Sequence, residues 1–461
     1  MNKKFKKVTV YDMTLAREKR VEKQKTLLKK YALPLVCFTL NIPGEIKTNP
    51  LIRKGYEIGL NTIKASLKAN NFKIIHIDEV HLFTGNEAIL VIDGYGPLIK
   101  EKMLDIENIH PFGILFDIDV IDKNGKKIER SLFNAKERKC LICDKDAKVC
   151  ASKRKHSAKE LYKKVNSILK KEIFELTRDN IATNAIKSLI YELLATPKPG
   201  LVDRNNNGSH KDMDIFTFIS SSTSLYSYFY DCFTIGYKAR RKDPSYVLLL
   251  LRERGKRAEE TMYEETLGVN THKGAIFSLG IIIGTIGHLY YNGYITGDIF
   301  KQIQTMCKDI QKRDCDKLNK TSMTNGEKLY KNCNIKGVRG EAESGFATVR
   351  NIALPTFKDC LYKGYDINAS LCITLLYIIK SIDDTVLISR SSVERSVEIK
   401  KEIGELLIKY PYPSLSEIEK IDKKFIEENL SSGGAADLLS VCYFLYLMES
   451  EIEVVPPESN L

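Results

Sequence analysis

The apolar periodicity of this chain changes once along its length, and that change limits what it can fold into. Residues 12–33 carry apolar side chains at helical spacing behind Asp12 or Thr14 as a cap. Residues 33–40, LPLVCFTL, then read as a buried strand closed by the Asn41-Ile42-Pro43-Gly44 turn. Residues 50–70 predict a second amphipathic helix, and residues 72–82, 87–92 and 114–121 supply further strand-like runs. From residue 159 to residue 451 the period stays near 3.6, with few convincing strands. The expectation is an N-terminal α/β or α+β domain with a small sheet, followed by an all-α helical bundle. Their junction falls in the charged helical segment near 160–178, and the domains are assigned as 1–168 and 169–461.

At 461 residues, a prior of roughly 150 per domain allows two or three domains, and 43% apolar content supplies two cores and excludes disorder. The formal charge of +13 comes from lysines scattered among acids, which suits a solvated surface. It also suits anionic partners: nucleotides, coenzymes, an acidic carrier protein or nucleic acid. The N-terminus has a basic start and no apolar core after it, so it does not read as a secretory signal. The longest apolar run, residues 275–291, is interrupted by Gly280, Gly284, Gly287 and His288 and falls short of the ~20 residues of a membrane span. These features predict a cytoplasmic protein whose eleven cysteines are reduced thiols, metal ligation being the main exception. The acidic Pro456-Pro457 tail is expected to fray.

The block HPFGILFDIDV sets Asp117 and Asp119 two apart in an apolar run. On a strand, period two puts both carboxylates on one face, where they can hold divalent metal. Such metal activates an attacking hydroxyl and stabilises a departing pyrophosphate. The alternative is a strand end with both acids in solvent or salt-bridged. Asp122 opens a DKNGK turn and reads as a turn former. Cys140, Cys143, Cys150 and His156 follow, wrapped in Arg138, Lys139, Lys153, Arg154 and Lys155. Three thiolates and an imidazole suit tetrahedral Zn²⁺, although the six-residue gap before Cys150 is unusual for a zinc finger. Free thiols in a basic loop, or a phosphate grip by His156 and the basic residues, remain open.

Five glycine- and charge-rich blocks punctuate the helical part. The first, ATPKPGLVD continuing into NGSHKDMD, fixes a turn with two prolines and a glycine and offers Lys198, Asp203, His210 and Asp212. GVNTHKG, with His272 and Lys273, precedes the apolar helix from Ala275, where helix-terminal amides and a lysine suit a phosphate chain. It is not a P-loop, because no GxxxxGK[ST] occurs. RGEAESGF brings Arg339, Glu341 and Glu343, and Asp383-Asp384-Thr385 interrupts an apolar helix. Gly433 and Gly434 open the last helix with small residues. Each block alone has a bland reading as an inter-helix loop or cap. Together they point to a polyanion–metal site in a helical bundle.

LPLVCFTLNIPGEIKTNP, HPFGILFDIDVID and CLICDKDAKVCASKRKHS, in order over roughly residues 10–165, resemble the citrate lyase holo-acyl-carrier-protein synthase family. That family is an apo-citrate lyase phosphoribosyl-dephospho-CoA transferase. The resemblance implies a nucleotidyltransferase-like small sheet on which a serine of the acyl carrier (gamma) subunit attacks the α-phosphate of triphosphoribosyl-dephospho-CoA and expels pyrophosphate. Asp117 and Asp119 would then hold Mg²⁺. Ile114 stands where the family has arginine, and Ser152 where its basic run begins.

ATPKPGLVD, GSHKDMD, GVNTHKG, RGEAESGF, DDT and GGAADLL, over roughly residues 178–450, resemble the triphosphoribosyl-dephospho-CoA synthase family, with Ser432 in place of a proline. That resemblance implies that ATP and 3′-dephospho-CoA are joined through a ribosyl linkage with release of adenine. Lys198, Lys273 and Arg339 with Asp203, Asp212, Asp383 and Asp384 are then candidates for clamping the triphosphate and Mg²⁺. Glu341 or Glu343 is a candidate to stabilise an oxocarbenium-like ribosyl centre, and His272 and His210 are candidates for proton transfer. The combined expectation is a bifunctional enzyme that builds the citrate lyase prosthetic group and attaches it to the acyl carrier subunit, with no nucleic acid or membrane partner. The alternatives are the same chemistry for malonate decarboxylase, or a zinc-ribbon nucleic-acid-binding protein fused to a helical ADP-ribosyl hydrolase-like domain. The zinc-ribbon reading predicts stacking aromatics among the basic residues, and 138–156 contains none.

Overall fold

The computed structural model describes residues 5–452 except Asn134, Lys136, Asp144 and residues 316–324, so the Pro456-Pro457 tail lies outside the described residues. These residues form two compact units, 5–177 with 292–294 and 178–291 with 295–452.

In the first unit, helix α1 (Val10–Tyr31) starts from Thr9, not from Asp12 or Thr14. The Thr9 hydroxyl accepts the Asp12 amide at 3.2 Å and the Asp12 carboxylate accepts the Thr9 amide at 2.8 Å, so Asp12 closes a capping box from inside the helix. Four strands follow, β1 (Leu35–Leu40), β2 (Lys73–Leu82), β3 (Gly85–Asp93) and β4 (Phe116–Ile121), all paired antiparallel in the order β2-β3-β1-β4. Helix α2 (Pro50–Ala69) enters behind the Asn49 cap with proline in its first turn, where the missing N–H costs nothing. Helix α3 (Gly96–Ile109) was not expected from the sequence, although Ile99, Met103 and Ile106 mark its buried face.

The sheet packs its apolar face on α2 and α3. Phe38 stacks on Tyr56 at 5.3 Å between ring centroids and meets Phe116 edge-on at 5.3 Å. The approach needs Gly59 on α2, because a Cβ there would sit 2.5 Å from Phe38 Cζ. Along β4, Phe116, Ile118 and Val120 enter this core, which leaves Asp117 and Asp119 together on the opposite face. The short helix α4 (Ala147–Ser152) precedes α5 (Ala158–Leu194), a 37-residue helix that contributes residues to both units.

The second unit is helical. Its elements are α6 (Ile215–Ser224), α7 (Tyr226–Lys238), α8 (Pro244–Glu265), α9 (Lys273–Leu289), α10 (Ile299–Met306), α11 (Ile310–Cys315), α12 (Asn325–Cys333) and α13 (Gly337–Glu343). They continue as α14 (Leu354–Tyr362), α15 (Ile367–Ser381), α16 (Thr385–Arg390), α17 (Val393–Lys409), α18 (Leu415–Glu427) and α19 (Gly433–Ile452). The only strands beyond Ile121 among the described residues are the two-residue pieces Tyr290–Tyr291 and Tyr294–Ile295. Helix α9 is the apolar run of the sequence. It is buried on every side from Ser278 to Gly287 because α7, α8, α10 and α19 surround it. Among the described residues no helix is long and apolar enough to cross a membrane. Asp383 and Asp384 do not interrupt a helix as the pattern suggested. They lie between α15 and α16, and Asp384 caps α16.

Candidate functional site

A cavity of about 850 Å³ opens in the helical unit, and all five glycine- and charge-rich blocks reach it. A buried ion pair lies in its wall, Lys198 Nζ to Glu192 Oε1 at 2.5 Å, with side-chain exposures of 2% and 6%. Lys198 therefore does not project from a solvent-facing turn, as the two prolines and glycine suggested. The turn itself is organised by Asp203, whose carboxylate takes the backbone amides of Lys198 at 3.1 Å, Asn205 at 2.7 Å and Asn206 at 3.2 Å. Those bonds occupy Asp203 inside the loop, and it does not line the cavity.

Among the carboxyl groups that face this space, burial pushes four above the ordinary carboxylate range. Glu192 is raised by burial, with Lys198 opposing. Asp384, 2% exposed, is raised by burial against the opposing pull of amides: it accepts from Val386 at 2.8 Å and Leu387 at 3.2 Å, and from Ala435 at 2.9 Å. The last bond ties the start of α19 to the start of α16. Asp437 is raised furthest, by burial and then by Glu192 and Asp384, partly offset by the Ala275 amide. It reaches the first turn of α9 because residue 274 is glycine: a Cβ there would lie 1.9 Å from Asp437 Oδ2. Glu341 is raised by burial while accepting the Thr348 hydroxyl at 2.7 Å and the Thr348 amide at 3.3 Å. Four such groups near one cavity are costly unless a proton or a cation is shared among them.

Both histidines are neutral. Burial and then Lys198 push His272 down to about 3, and burial and then Arg390 push His210 down to about 4. His272 sits in a chain of hydroxyls. Thr271 Oγ1 donates to Ser221 Oγ at 2.7 Å, and Ser221 Oγ lies 2.7 Å from His272 Nδ1. Ser222 Oγ donates to the Phe218 carbonyl at 2.7 Å and lies 3.4 Å from His272 Nε2. The donor directions assign the proton to Nε2 and leave Nδ1 as the acceptor. His210 lies with Nδ1 3.1 Å from Arg390 Nη2, a donor only, and Nε2 3.0 Å from Ser431 Oγ.

The cationic lining comprises Lys273, 2.7 Å from Glu259, Lys336, 3.1 Å from Glu343, and Arg390, which donates to the Ser209 carbonyl at 2.9 Å. Gly433, Gly434 and Asp383 also line the cavity, Asp383 with its carboxylate 2.6 Å from Lys400. Besides Asp203, three residues singled out from the sequence lie elsewhere. Arg339 lines a neighbouring pocket of about 390 Å³ and stands 3.6 Å from Glu327. Glu343 is not part of the lining, and Asp212 is exposed outside it.

On the first unit's sheet, Asp117 and Asp119 pair in register with Thr39 and Cys37 and share the face opposite the core. Each already has a cation: Lys127 Nζ is 2.8 Å from Asp119 and Arg138 Nη2 is 3.4 Å from Asp117. Arg138 also meets Glu107 at 2.7 Å, as Arg130 does at 3.0 Å, and the buried Glu107 accepts the Ile118 amide at 3.1 Å. Beside Asp117 opens a pocket of about 230 Å³ lined by Arg17, Arg20, Lys47, Asn41 and Glu87. Burial and then Arg17 lower the Lys47 pKa. Asp122 behaves as the turn former expected, accepting the amides of Asn124 and Lys126 at 2.8 Å each. Further along, Cys140, Cys143, Cys150 and His156 converge with their ligand atoms within 4.8 Å of one another.

The sequence reading missed Glu192, Lys336, Arg390 and Asp437 in the cavity, and Arg17, Arg20, Lys47, Glu87 and Glu107 near the strand. Asp437 stood in the GGAAD block and was passed over beside its glycines. Glu192 is a lone acid in an apolar helical stretch, a signal that was available. Glu107 lies in the unrecognised α3.

Compared with known proteins, residues 178–454 match the family described as ATP:dephospho-CoA triphosphoribosyl transferase, and residues 8–172 match the family described as apo-citrate lyase phosphoribosyl-dephospho-CoA transferase. Among relatives, Protein CitXG of Leuconostoc mesenteroides subsp. cremoris is 37% identical over 93% of this chain and 95% of its own length. Protein CitXG of Haemophilus influenzae is 32% identical over 95% and 96%. A probable 2-(5''-triphosphoribosyl)-3'-dephosphocoenzyme-A synthase of Vibrio cholerae is 36% identical over 57% of this chain and 86% of its own length.

Proposed function

Because this chain belongs to the family of fused apo-citrate lyase phosphoribosyl-dephospho-CoA transferases and ATP:dephospho-CoA triphosphoribosyl transferases, we propose that its two motif sets are two consecutive active sites. The chain is a bifunctional transferase of citrate lyase prosthetic-group biosynthesis. Residues 169–461 make triphosphoribosyl-dephospho-CoA, and residues 1–168, read as a nucleotidyltransferase-like sheet, transfer the phosphoribosyl-dephospho-CoA group to a serine of the acyl carrier subunit. The observation that supports the first assignment most is the convergence of all five blocks on one cavity.

In the synthase reaction a hydroxyl of dephospho-CoA forms a bond to the anomeric carbon of ATP's ribose, the bond to adenine breaks, and one proton moves from the hydroxyl side to the leaving base. Glu341 is assigned as the acid, since burial raises its carboxyl pKa. Asp437, which lies against Gly274 with a raised carboxyl, is assigned to face the ribosyl cation, whose developing charge favours its ionised form. Lys273, Lys336 and Arg390 are placed to grip the triphosphate. His272 and His210 are positioning residues, because each imidazole is neutral and committed on both nitrogens.

In the transfer reaction the serine oxygen bonds to the α-phosphorus, and pyrophosphate leaves from it. Arg17, Arg20 and Lys47 are assigned to the phosphates. Mg²⁺ fits the hard, half-exposed carboxylate oxygens of Asp117 and Asp119, with side-chain exposures of 49% and 36%. When bound, it supplies charge neutralisation at the phosphates.

Incubation with ATP and 3′-dephospho-CoA tests the first step: adenine release that depends on dephospho-CoA is expected, and adenine released equally without it overturns the assignment. Lys273→Ala and Glu341→Gln are both expected to lower that release, and no change in either removes these residues from the site. Apo-carrier protein added next gains the prosthetic-group mass at a serine.

A further inference from the structure

One cluster of side chains is used by neither reaction: Cys140, Cys143, Cys150 and His156. The geometry points to a structural Zn²⁺ site at these four residues, which fastens the loop carrying Arg138 beside the Asp-x-Asp strand. Their ligand atoms all lie within 4.8 Å of one another, and the sulfurs of Cys143 and Cys150 are 3.3 Å apart. A tetrahedral shell with Zn–S near 2.3 Å and Zn–N near 2.0 Å sets ligand atoms about 3.5–3.8 Å apart, so side-chain adjustments alone close it. His156 Nε2 is buried and has no hydrogen-bond partner among the described residues. Leaving such a group unsatisfied is costly, a cost that metal ligation removes. Three sulfurs and an imidazole select zinc over Mg²⁺ or Ca²⁺, whose ligands are oxygens.

The chain around the cluster needs such a staple. Between residues 134 and 157 the only buried side chains among the described residues are Cys140 and Cys150 themselves, and the partly buried Leu141 packs on the sheet core, so little apolar burial holds the segment. A tight turn, closed by the Cys140 amide on the Lys145 carbonyl at 2.6 Å and the Ala147 amide on the Arg138 carbonyl at 2.8 Å, presents Cys140 and Cys143. Helix α4 brings Cys150, and the approach to α5 brings His156. Arg138 lies two residues before Cys140, with its backbone inside that turn and its guanidinium 2.7 Å from Glu107 and 3.4 Å from Asp117. Zinc at the cluster thus fixes where Arg138 stands relative to the acids. This positioning role rests on the reading of the Asp117 face as the transfer site, whereas metal binding does not.

The test uses the full chain purified under reducing conditions without chelator. About one zinc per chain by elemental analysis is expected, and Co²⁺ exchange should give the intense visible bands of tetrahedral thiolate coordination. Cys143→Ser and His156→Ala should lose the metal, while His156→Cys keeps it. Metal loss should lower the turnover of carrier modification about 10–100-fold, with adenine release unchanged as the control for folding. Sub-stoichiometric zinc with no Co²⁺ spectrum, full zinc retention by both Cys143→Ser and His156→Ala, or a Cys143–Cys150 disulfide in the freshly purified chain overturns the site. Zinc bound but transfer unaffected by its removal overturns the positioning of Arg138 alone.

Discussion

The two candidate sites solve one problem, holding a polyphosphate near carboxylates, in opposite ways. On the sheet, Asp117 and Asp119 come from a single strand, keep roughly half or a third of their side chains in solvent, and are each matched by a basic side chain. In the helical cavity, Glu192, Asp384 and Asp437 come from separate elements and are buried enough that their carboxyls are pushed up. The sheet site is an exposed face that substrate and ion can approach, because period two delivers two like charges to one side at little cost. The helical site concentrates charge where desolvation is expensive, so it depends on Lys198 and on the ligand to hold it together.

The largest expected effect separates the two. Asp117→Asn should lower carrier modification by about 10²–10³-fold and leave adenine release intact. Glu341→Gln should lower adenine release by about 10²–10⁴-fold and leave transfer of supplied triphosphoribosyl-dephospho-CoA intact. Loss of both activities in either variant would dissolve the comparison, and each is read by mass spectrometry of the carrier and chromatography of adenine.

Stability should differ in the same direction. Lys198→Ala strands Glu192 in the interior and should cost about 3–5 kcal/mol in denaturant unfolding. Lys127→Ala, which removes the partner of Asp119 on the open face, should cost no more than about 1 kcal/mol. Equal costs would mean the two environments are not as different as their exposures indicate.

A smaller effect concerns pH. The folded-state pKa of Asp437 is raised, so between its unfolded and folded values the native chain binds the extra proton. Its contribution is fully present below the unfolded value and is lost as pH rises through the folded one. Thermal stability without ligand should fall over that window, and Asp437→Asn should flatten the fall. The smallest expected effect is that of Arg339→Ala, since Arg339 lines the neighbouring pocket: adenine release should change by less than about tenfold.

The motif order and the change of periodicity made the division into a region with a small sheet and a helical region legible, because each depends on spacing along the chain; the antiparallel pairing of all four strands was not. The placement of Asp117 and Asp119 on one face was legible for the same reason. Helix α3 was not, and with it Glu107 was lost, although the proline of Gly96-Pro97 is well placed in a first turn. Asp383 and Asp384 were legible as charged residues but not as a cap. Nothing local shows that Asp384 spends its oxygens on amides of both α16 and α19.

By itself the sequence determined which chemistry-bearing side chains exist, their order, and which share a strand face or a helix start, since these follow from backbone period and local capping. Only the tertiary structure decided that Lys198 is paired with Glu192, that His272 and His210 are neutral, that Asp437 of α19 reaches the first turn of α9 at Gly274, and that Arg339 and Glu343 fall outside the cavity lining. Those outcomes depend on burial and on partners far along the chain, and desolvation is a property of the packed environment that no spacing encodes.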